Sequence, residues 1–344
     1  MYNPWYRTGW KSLSSDEKDT QMRELARLLP PGFTYAGLSR FARHGQELET
    51  GVFERTHSRF VFVPGDQITL GWEASLHQMD EATLTELNES TPEFGVDNLE
   101  ELLGQQMSPV REAEITPLLV ECGLNSLGWT QVSAEEAAEY GGAELQEAIA
   151  HLEERSSHSY ELYQSFRVER RKDGQGLDYY VFNEDLLLEE FVEEVHSLGY
   201  DLLTEDEWEY LFGGGARSLF PWGDSWNYKM KLRHLEELAE DPHQDYVLEL
   251  PNAFGIQFAG DPYKYELTVP HSEDSKRSEP FIPKGGDGGS LLCGGSGVVM
   301  GYLPATATSY RDPFYKELEW EEIMDTMYFR RIVRLESSIA AIQQ

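Results

Sequence analysis

Hydrophobic and polar positions follow a helical period in some segments of the chain and alternate in others. In residues 15–29 the apolar positions recur every three or four residues, which predicts an amphipathic helix that the Pro-Pro-Gly of residues 30–32 ends. In residues 59–70 apolar β-branched and aromatic positions surround a Pro-Gly pair, which predicts strands joined by a turn. These two segments predict that helices and strands are mixed within the first 70 residues.

Further elements follow from the same two periods. After residue 224 regular patterns become rare, and Gly, Pro and aromatic residues dominate to about residue 315. Long irregular stretches in a compact domain usually carry function. The chain has no internal repeat and no clear linker, which favours one domain with an N-terminal extension.

The other predicted elements are helices at 80–87, 98–106, 134–154 (interrupted by Gly141-Gly142) and 183–198 (capped by Asn183), strand content at 110–120, and a hairpin of 160–169 with 178–182.

Residues 202–224 combine more local signals than any other stretch. Thr204 stands three residues before Glu207, the spacing of a capping box, so a helix is expected from this point. Trp208 begins an apolar stripe on that helix, and the three glycines at 213–215 end it because glycine adopts the left-handed terminating conformation without strain. The sequence FPWGD at 220–224 predicts a rigid aromatic turn.

Composition narrows the range of partners. The 344 residues include 62 acidic and 28 basic side chains, a net charge of −34, which would repel nucleic-acid backbones and anionic membranes. No apolar run reaches membrane-spanning length, and the N-terminus has no apolar signal-peptide core. The two cysteines, Cys122 and Cys293, do not make a disulfide framework. These features predict a cytoplasmic, acidic protein without nucleic-acid or membrane partners; a protein or peptide partner is compatible with them.

The segment 202–224 resembles the formylglycine-generating enzyme (sulfatase-modifying factor) family, whose pattern is R-L-P-T-E-A-E-W-E-Y, a Gly-rich bend and P-W-G. Here the Pro that the family places before Thr204 is missing. The resemblance covers about residues 55–335 and implies an α+β, C-type-lectin-like fold with short antiparallel sheets, two main helices (183–198 and 204–212) and much irregular loop. The further matches, in the family's order, are FVPG at 62–65, PNAFGI at 251–256, YELT at 265–268, GGS at 288–290 and FR at 329–330.

The same resemblance sets the expected domain organisation. Residues 1–54 form an N-terminal extension with one amphipathic helix, and residues 55–335 form the family-like domain. Residues 72–180 depart most from the family and are expected to be a divergent insertion, and residues 336–344 form a tail.

The resemblance also implies candidate chemistry. Cys293, three residues after Ser290, stands where the family's enzymes carry the first of two catalytic cysteines; their two thiolates hold Cu(I), which activates dioxygen to oxidise a substrate cysteine. The second cysteine position is Val298, so copper is not expected here. Ser290 matches the family's active-site serine, and Tyr265 and Arg311 are candidates for the substrate cleft. The alternative for Cys293 is a small buried apolar residue, a common role of free cysteine.

Two further groups of residues are implied. Glu266 matches a family carboxylate that helps to bind Ca²⁺, and Asp261 is a candidate second ligand, although the preceding family pattern is altered here. Residues 295–301, GSGVVMG, have the wrong spacing for a dinucleotide-binding loop. The residues expected to brace the fold are Thr204, Glu207, Trp208, Trp222 and Arg330.

Two functions follow as hypotheses. In the first, the protein is a family-like binding or scaffold module that lacks the two-cysteine copper oxidase. In the second, it is a divergent metal- or thiol-dependent oxidase that uses Cys293 on a cysteine-containing peptide or small thiol. A Cys293 that borders an open cleft favours the second hypothesis, and a Cys293 buried in apolar contacts favours the first.

Overall fold

The computed structural model describes residues 3–73, 76–155, 157–171, 174–239, 241, 243–270 and 280–342. Its elements make an α+β protein in which the strands form several short antiparallel sheets. The helices are α1 Arg7–Ser12, α2 Ser15–Ala26, α3 Glu81–Ser90, α4 Leu99–Gln105, α5 Ala134–Glu154, α6 Leu188–Ser197, α7 Glu205–Gly213, α8 Gly288–Gly294, α9 Val298–Thr306, α10 Trp320–Ile323 and α11 Glu336–Ile342. The strands are β1 Thr34–Arg43, β2 Gln46–Arg55, β3 Ser58–Val63, β4 Asp66–Leu70, β5 Arg111–Ile115, β6 Leu118–Glu121, β7 Asn125–Ser126, β8 Trp129–Val132, β9 Ser159–Leu162, β10 Phe166–Arg170, β11 Leu177–Phe182, β12 Asp201–Leu202, β13 Tyr265–Thr268, β14 Ile282–Gly285, β15 Met327–Phe329 and β16 Arg331–Arg334.

The chain divides into two compact units. The first holds the described residues of Met1–Asn125, Glu194–Leu318 and Tyr328–Gln344, and the second holds those of Ser126–Glu193 and Glu319–Met327. The predicted divisions at residues 54 and 335 stay predictions. The structure divides the chain within the region that was expected to be an insertion.

A six-stranded sheet forms the centre of the first unit. Its strand order is β1-β2-β3-β6-β16-β12, and each neighbouring pair is antiparallel. All four residues of β6 are buried. The segment of residues 5–10 is part of this core, because the buried rings of Trp5 and Trp10 pack on Phe62 with centroid distances of 5.7 and 4.7 Å. Trp5 and Trp10 therefore cover the end of β3, where the FVPG motif starts.

Two antiparallel strand pairs and a helical apolar cluster also belong to the first unit. Strands β4 and β5 pair with each other, and so do β13 and β14. Helices α3, α4 and α9 contribute Leu87, Leu103 and Leu303 to a cluster that also buries Phe220. Strands β13 and β14 and helices α8 and α9 position the side chains of the site described below.

The second unit contains a four-stranded sheet with helix α5 against it. The strand order is β8-β11-β10-β9, all antiparallel, and α5 packs on it through Leu145, Ala148 and Leu152. At Gly142 the backbone of α5 takes φ 49° and ψ −126°, so the helix is broken where the sequence places Gly141-Gly142, as predicted. Strands β10 and β11 form the predicted hairpin, but its first predicted strand, residues 160–169, is two strands, β9 and β10, joined by a turn at 163–165.

Most elements predicted from periodicity are present, with one helix start in error. Helix α2 ends at Ala26, strands β3 and β4 fill residues 59–70, and α7 begins after Thr204. The helix expected from Asn183 begins only at Leu188. The Asn183 side chain instead accepts a hydrogen bond from the amide of Asp185 at 3.3 Å, a local turn that competes with helix formation.

The expectation of irregular structure after residue 224 was wrong for residues 288–306. Helices α8 and α9 lie there, with Pro304 in the last turn of α9. The glycines that made this stretch look like a loop permit close packing: a Cβ on Gly288 would lie 1.9 Å from the carbonyl oxygen of Gly301 on α9. The two helices therefore touch through their backbones.

Candidate functional site

Helix α7 begins with the capping box that the sequence predicts. The hydroxyl of Thr204 accepts a hydrogen bond from the amide of Glu207 at 3.3 Å, and the carboxylate of Glu207 accepts one from the amide of Thr204 at 2.8 Å. Both side chains are buried. The helix ends at Gly214, whose φ of 59° is left-handed. The two predicted bracing residues at its start therefore satisfy backbone amides inside the protein.

Charged side chains of α7 are paired in the interior. The Nζ atom of Lys284, on β14, lies 3.3 Å from carboxylate oxygens of both Glu205 and Glu209, and its side chain is 0% exposed. The guanidinium of Arg311 binds Glu205 through two hydrogen bonds of 2.8 and 2.5 Å. We call the following set, which holds three carboxylates and three cations, the α7 charge cluster: Arg111, Glu205, Asp206, Glu209, Lys284 and Arg311.

The cluster is balanced in charge, and its cations favour the ionised form of Glu205. Burial acts to raise the pKa of Glu205, but the charges of Lys284 and Arg311 outweigh it and lower the pKa from 4.5 to about 2. Arg111 reaches Asp206 at 2.5 Å and Glu209 at 3.3 Å. Each cation thus has a carboxylate partner, and the cluster fastens α7 to β14 and to the chain around residue 311. The structure places Arg311, predicted for a substrate cleft, in this cluster.

Trp208 and Arg330 share the carboxylate of Glu266. The indole Nε1 of Trp208 donates to Oε2 of Glu266 at 3.0 Å, and Nε of Arg330 donates to Oε1 at 3.0 Å. Arg330 also donates to the backbone carbonyls of Glu121 and Cys122 at 2.7 and 3.1 Å. All three sharing side chains are buried. Trp208 and Arg330 therefore brace the core through one carboxylate.

These contacts do not fit a calcium site at Glu266. Both carboxylate oxygens already accept hydrogen bonds, and one partner is a guanidinium, whose charge would repel a divalent cation. Asp261, the candidate second ligand, accepts a hydrogen bond from the amide of Tyr263 at 3.0 Å and lies 3.2 Å from Nε2 of His234. Calcium at these residues stays a prediction that the observed hydrogen bonds oppose.

The aromatic turn of residues 220–224 is present and packed. The backbones of Phe220 and Gly223 exchange two hydrogen bonds of 2.9 and 3.1 Å. The ring of Trp222 stacks on Phe220 at 5.2 Å, and its Nε1 donates to the carbonyl of Ser225 at 3.0 Å. Trp222 is therefore held both by stacking and by a hydrogen bond.

Helix α8 presents the predicted catalytic residues to solvent. Ser290 and Cys293 are exposed and lie three residues apart on the helix. The hydroxyl of Ser290 donates to both carboxylate oxygens of Asp287 at 2.7 and 2.8 Å. The Sγ atom of Cys293 lies 3.0 Å from the hydroxyl oxygen of Tyr263. We call these four residues, Tyr263, Asp287, Ser290 and Cys293, the α8 rim.

The backbone at the rim is strained and tightly packed. Asp287 has φ 35°, in the left-handed region that a residue with a side chain rarely adopts, and such strain is concentrated at functional sites. A Cβ on Gly289 would lie 2.1 Å from the ring of Tyr263, so that ring rests directly on the α8 backbone. The glycine of the GGS motif therefore allows Tyr263 to approach Cys293.

Electrostatic interactions connect the rim with two nearby groups. The hydrogen bond with Cys293 is the main cause that raises the pKa of Tyr263 to about 12. Burial raises the pKa of Asp312, and repulsion from Asp287 adds to the effect. Tyr265 is buried, which raises its pKa, with Asp287 and Asp312 contributing further. Tyr265 thus lies within electrostatic reach of the rim, but its ring is buried, and its place in a substrate cleft stays a prediction.

The second thiol of the chain has a different environment. Cys122 is half-buried, and burial raises the pKa of its thiol to about 11. Val298 begins α9 and packs against the apolar cluster of that helix. In the described part of the chain no three His, Cys, Asp or Glu side chains are grouped to hold a metal. A two-thiolate copper site does not fit around Cys293, since its observed polar neighbour is a phenol.

The glycine-rich loop at 295–297 ends in a helix N-terminus that a carboxylate of the same chain occupies. The amide of Val299 donates to Glu86 at 2.8 Å, and the hydroxyl of Tyr228 donates to the second oxygen of the same carboxylate at 2.8 Å. The positive end of α9 is thereby neutralised by α3. The expectation that this loop is not a dinucleotide site stays a prediction.

Several of these residues escaped the sequence analysis. Tyr263 and Asp312 carry no motif, and Lys284 stands between Pro283 and Gly285, a context that resembles an exposed turn. Among the rim residues outside the motif, Asp287 could have been noticed, because it is an acidic residue directly before GGS.

Comparison with protein-family models and with curated proteins gave no match for the chain. Among the described residues, no helix is both long enough and apolar enough to cross a bilayer.

Proposed function

We propose that the protein is a binding or scaffold module with a formylglycine-generating-enzyme-like, C-type-lectin-like fold, and that it lacks the two-thiolate copper oxidase activity. The observation that carries the proposal is the environment of Val298. This residue occupies the second cysteine position of the resemblance, begins α9 and packs against an apolar cluster. Cu(I) sites built from thiolates need at least two soft ligands, and the rim supplies one.

The contacts of the other motif residues support the same proposal. Glu205, Glu266 and Arg311 are bound to charged partners of the same chain, so their roles are structural. Charged residues that brace a scaffold leave its exposed loops free to vary, and a scaffold of this kind hosts different ligands on different loops.

A copper titration coupled to an oxygen-uptake assay tests the proposal. The purified protein is titrated with Cu(I) against a competing chelator and then supplied with a cysteine-containing peptide. We expect no stoichiometric tight binding and no oxygen uptake. Val298→Cys is the matched variant, because it restores the second thiol, and a gain of Cu(I) binding in it supports the alignment of the motif. Tight binding with turnover in the unmodified protein contradicts the proposal.

The exposure of Cys293 favours a second candidate function, a thiol oxidase. In this reaction two substrate thiols lose two electrons and two protons to dioxygen, which gives a disulfide and hydrogen peroxide. Cys293 is the exposed protein thiol at this site, and its Sγ atom lies 3.0 Å from the hydroxyl oxygen of Tyr263. The test compares peroxide release by Cys293→Ser and by the control Cys122→Ser. Equal rates in the two variants and the parent protein exclude this candidate.

A further inference from the structure

A cationic cavity lies in the first unit, away from the α8 rim in sequence and sharing no residue with it. Its volume is about 410 Å³, and α1, α2 and the β1–β2 hairpin line it. Four basic side chains face two acidic ones, whereas acidic residues outnumber basic ones by 62 to 28 in the whole chain. The charged lining residues are Arg7, Lys11, Lys18, Arg40, Glu47 and Glu49.

Two of the basic residues are fixed in the wall of the cavity. Lys18 is buried and its Nζ atom lies 3.1 Å from the carboxylate of Glu49. The guanidinium of Arg7 donates to the carbonyl of Gly214 at 2.7 Å and to the side-chain oxygen of Gln46 at 3.0 Å. These bonds tie both side chains to neighbouring residues of the wall.

The other two basic residues have no such partner. Lys11 and Arg40 are exposed, and the side chain of neither makes a hydrogen bond or a salt bridge with any residue that the structure describes. Arg40 is within electrostatic reach of the wall: the pKa of Glu49 is lowered mainly by its hydrogen bond with Lys18, and Arg40 contributes to the shift. Two cations from different elements, α1 and β1, are thus available at one cavity.

We propose that this cavity binds a small anion that carries a phosphate group, with Lys11 and Arg40 as the direct ligands. A guanidinium offers a fork of donors that matches phosphate oxygens, and an ammonium adds a second charge. The volume lies within the range of small-molecule sites. It exceeds the space that one inorganic phosphate fills, so the expected ligand is an organic phosphate.

The acidic surface favours anion binding at this cavity over the rest of the surface. A net charge of −34 repels anions from most of the surface, so attraction at one cationic cavity is a local exception. Because Lys11 and Arg40 are exposed, binding is expected to weaken as ionic strength rises.

Isothermal titration calorimetry at low ionic strength, in a buffer without phosphate, tests the proposal. The probes are inorganic phosphate, glucose 6-phosphate and, as the neutral control, glucose. The variant Lys11→Ala/Arg40→Ala is compared with Arg217→Ala/Lys316→Ala, which removes the same charge from other exposed positions. Circular dichroism confirms that both variants are folded.

We expect saturable binding of both phosphates, tighter for the ester, and no binding of glucose. Removal of the Lys11 and Arg40 side chains is expected to weaken phosphate binding by roughly tenfold or more, while the control variant binds within about twofold of the parent protein. Equal binding of both phosphates would show that the cavity recognises the phosphate group alone and not the organic part of the ester. The absence of saturable phosphate binding, or equal weakening in the control variant, overturns the proposal.

Discussion

The α7 charge cluster and the α8 rim both concentrate polar side chains, yet they use them in opposite ways. In the cluster each charge has a partner, and Lys284 has no exposed surface. In the rim, Asp287, Ser290 and Cys293 are exposed and the backbone of Asp287 is strained. Paired, buried charges stabilise one arrangement of the chain, whereas exposed groups on a strained backbone are accessible to a ligand. The difference shows that the most distinctive motif of the sequence holds paired charges, whereas the exposed polar groups lie on α8.

The largest expected effect comes from removing the central cation of the cluster. Lys284→Met leaves Glu205 and Glu209 buried without that partner, which is expected to lower the free energy of unfolding by about 3–5 kcal/mol. Urea denaturation measures the change. The control is Lys316→Met at an exposed position, expected to change stability by less than about 0.5 kcal/mol. Similar losses in both variants would remove the contrast between cluster and surface.

The pH dependence of stability is expected to come next. The folded-state pKa of Glu205 is lowered to about 2, so its stabilising contribution is complete above its ordinary value of 4.5 and is lost as pH falls towards 2. Glu205→Gln should therefore remove roughly 2–3 kcal/mol of the stability change between these pH values. Denaturation curves at a series of pH values measure it, with the exposed Glu100→Gln as control. Parallel curves for parent and Glu205→Gln would contradict the assigned ion pairs.

Thiol labelling tests the exposure of the rim. Cys293 is exposed, whereas Cys122 is half-buried with its pKa raised to about 11, so little of it is thiolate near pH 8. Cys293 is expected to react with iodoacetamide at least about tenfold faster than Cys122 in the folded protein. Peptide mapping by mass spectrometry distinguishes the two sites, and labelling in denaturant provides the control. Equal rates in the folded protein would place both thiols in similar surroundings.

A smaller effect separates buried from exposed helix caps. Thr204→Ala removes the hydroxyl that binds the amide of Glu207 and is expected to cost about 1–2 kcal/mol, since this hydrogen bond is buried. Ser14→Ala removes the equivalent hydroxyl at the exposed start of α2, where solvent can replace it, so about 0.5 kcal/mol is expected. Thermal unfolding of the two variants side by side measures the difference. A larger loss for Ser14→Ala would be inconsistent with the bracing role of Thr204.

The smallest effect concerns strain at the rim. Asp287→Gly relieves the left-handed conformation but loses the bond with Ser290, so unfolding free energy is expected to change by no more than about 1 kcal/mol, towards greater stability. Asp16→Gly, in the first turn of α2, is the control and is expected to destabilise by about 0.5–1 kcal/mol. Equal destabilisation of both variants would show that Asp287 is not strained.

Local signals predicted the elements that local interactions determine. Helix α7 was predictable because its cap and its terminating glycine lie within ten residues of each other. Helices α8 and α9 were not, because their glycines are required by backbone contact between the helices, which periodicity does not encode. Lys284 meets its carboxylates across 79 and 75 residues of sequence, and its burial follows only from the assembled fold. For the same reason Arg311, which looked available for a ligand, belongs to the cluster.

The carboxylate of Glu86 at the start of α9 has a consequence for anions in solution. Being attached to the same chain, it behaves as an intramolecular competitor whose effective concentration is of millimolar order or higher. A free nucleotide or phosphate must displace it before binding the helix end, and its apparent affinity falls accordingly. Glu86 therefore lowers the affinity of the α9 N-terminus for anions from solution, which the glycine-rich loop would otherwise attract.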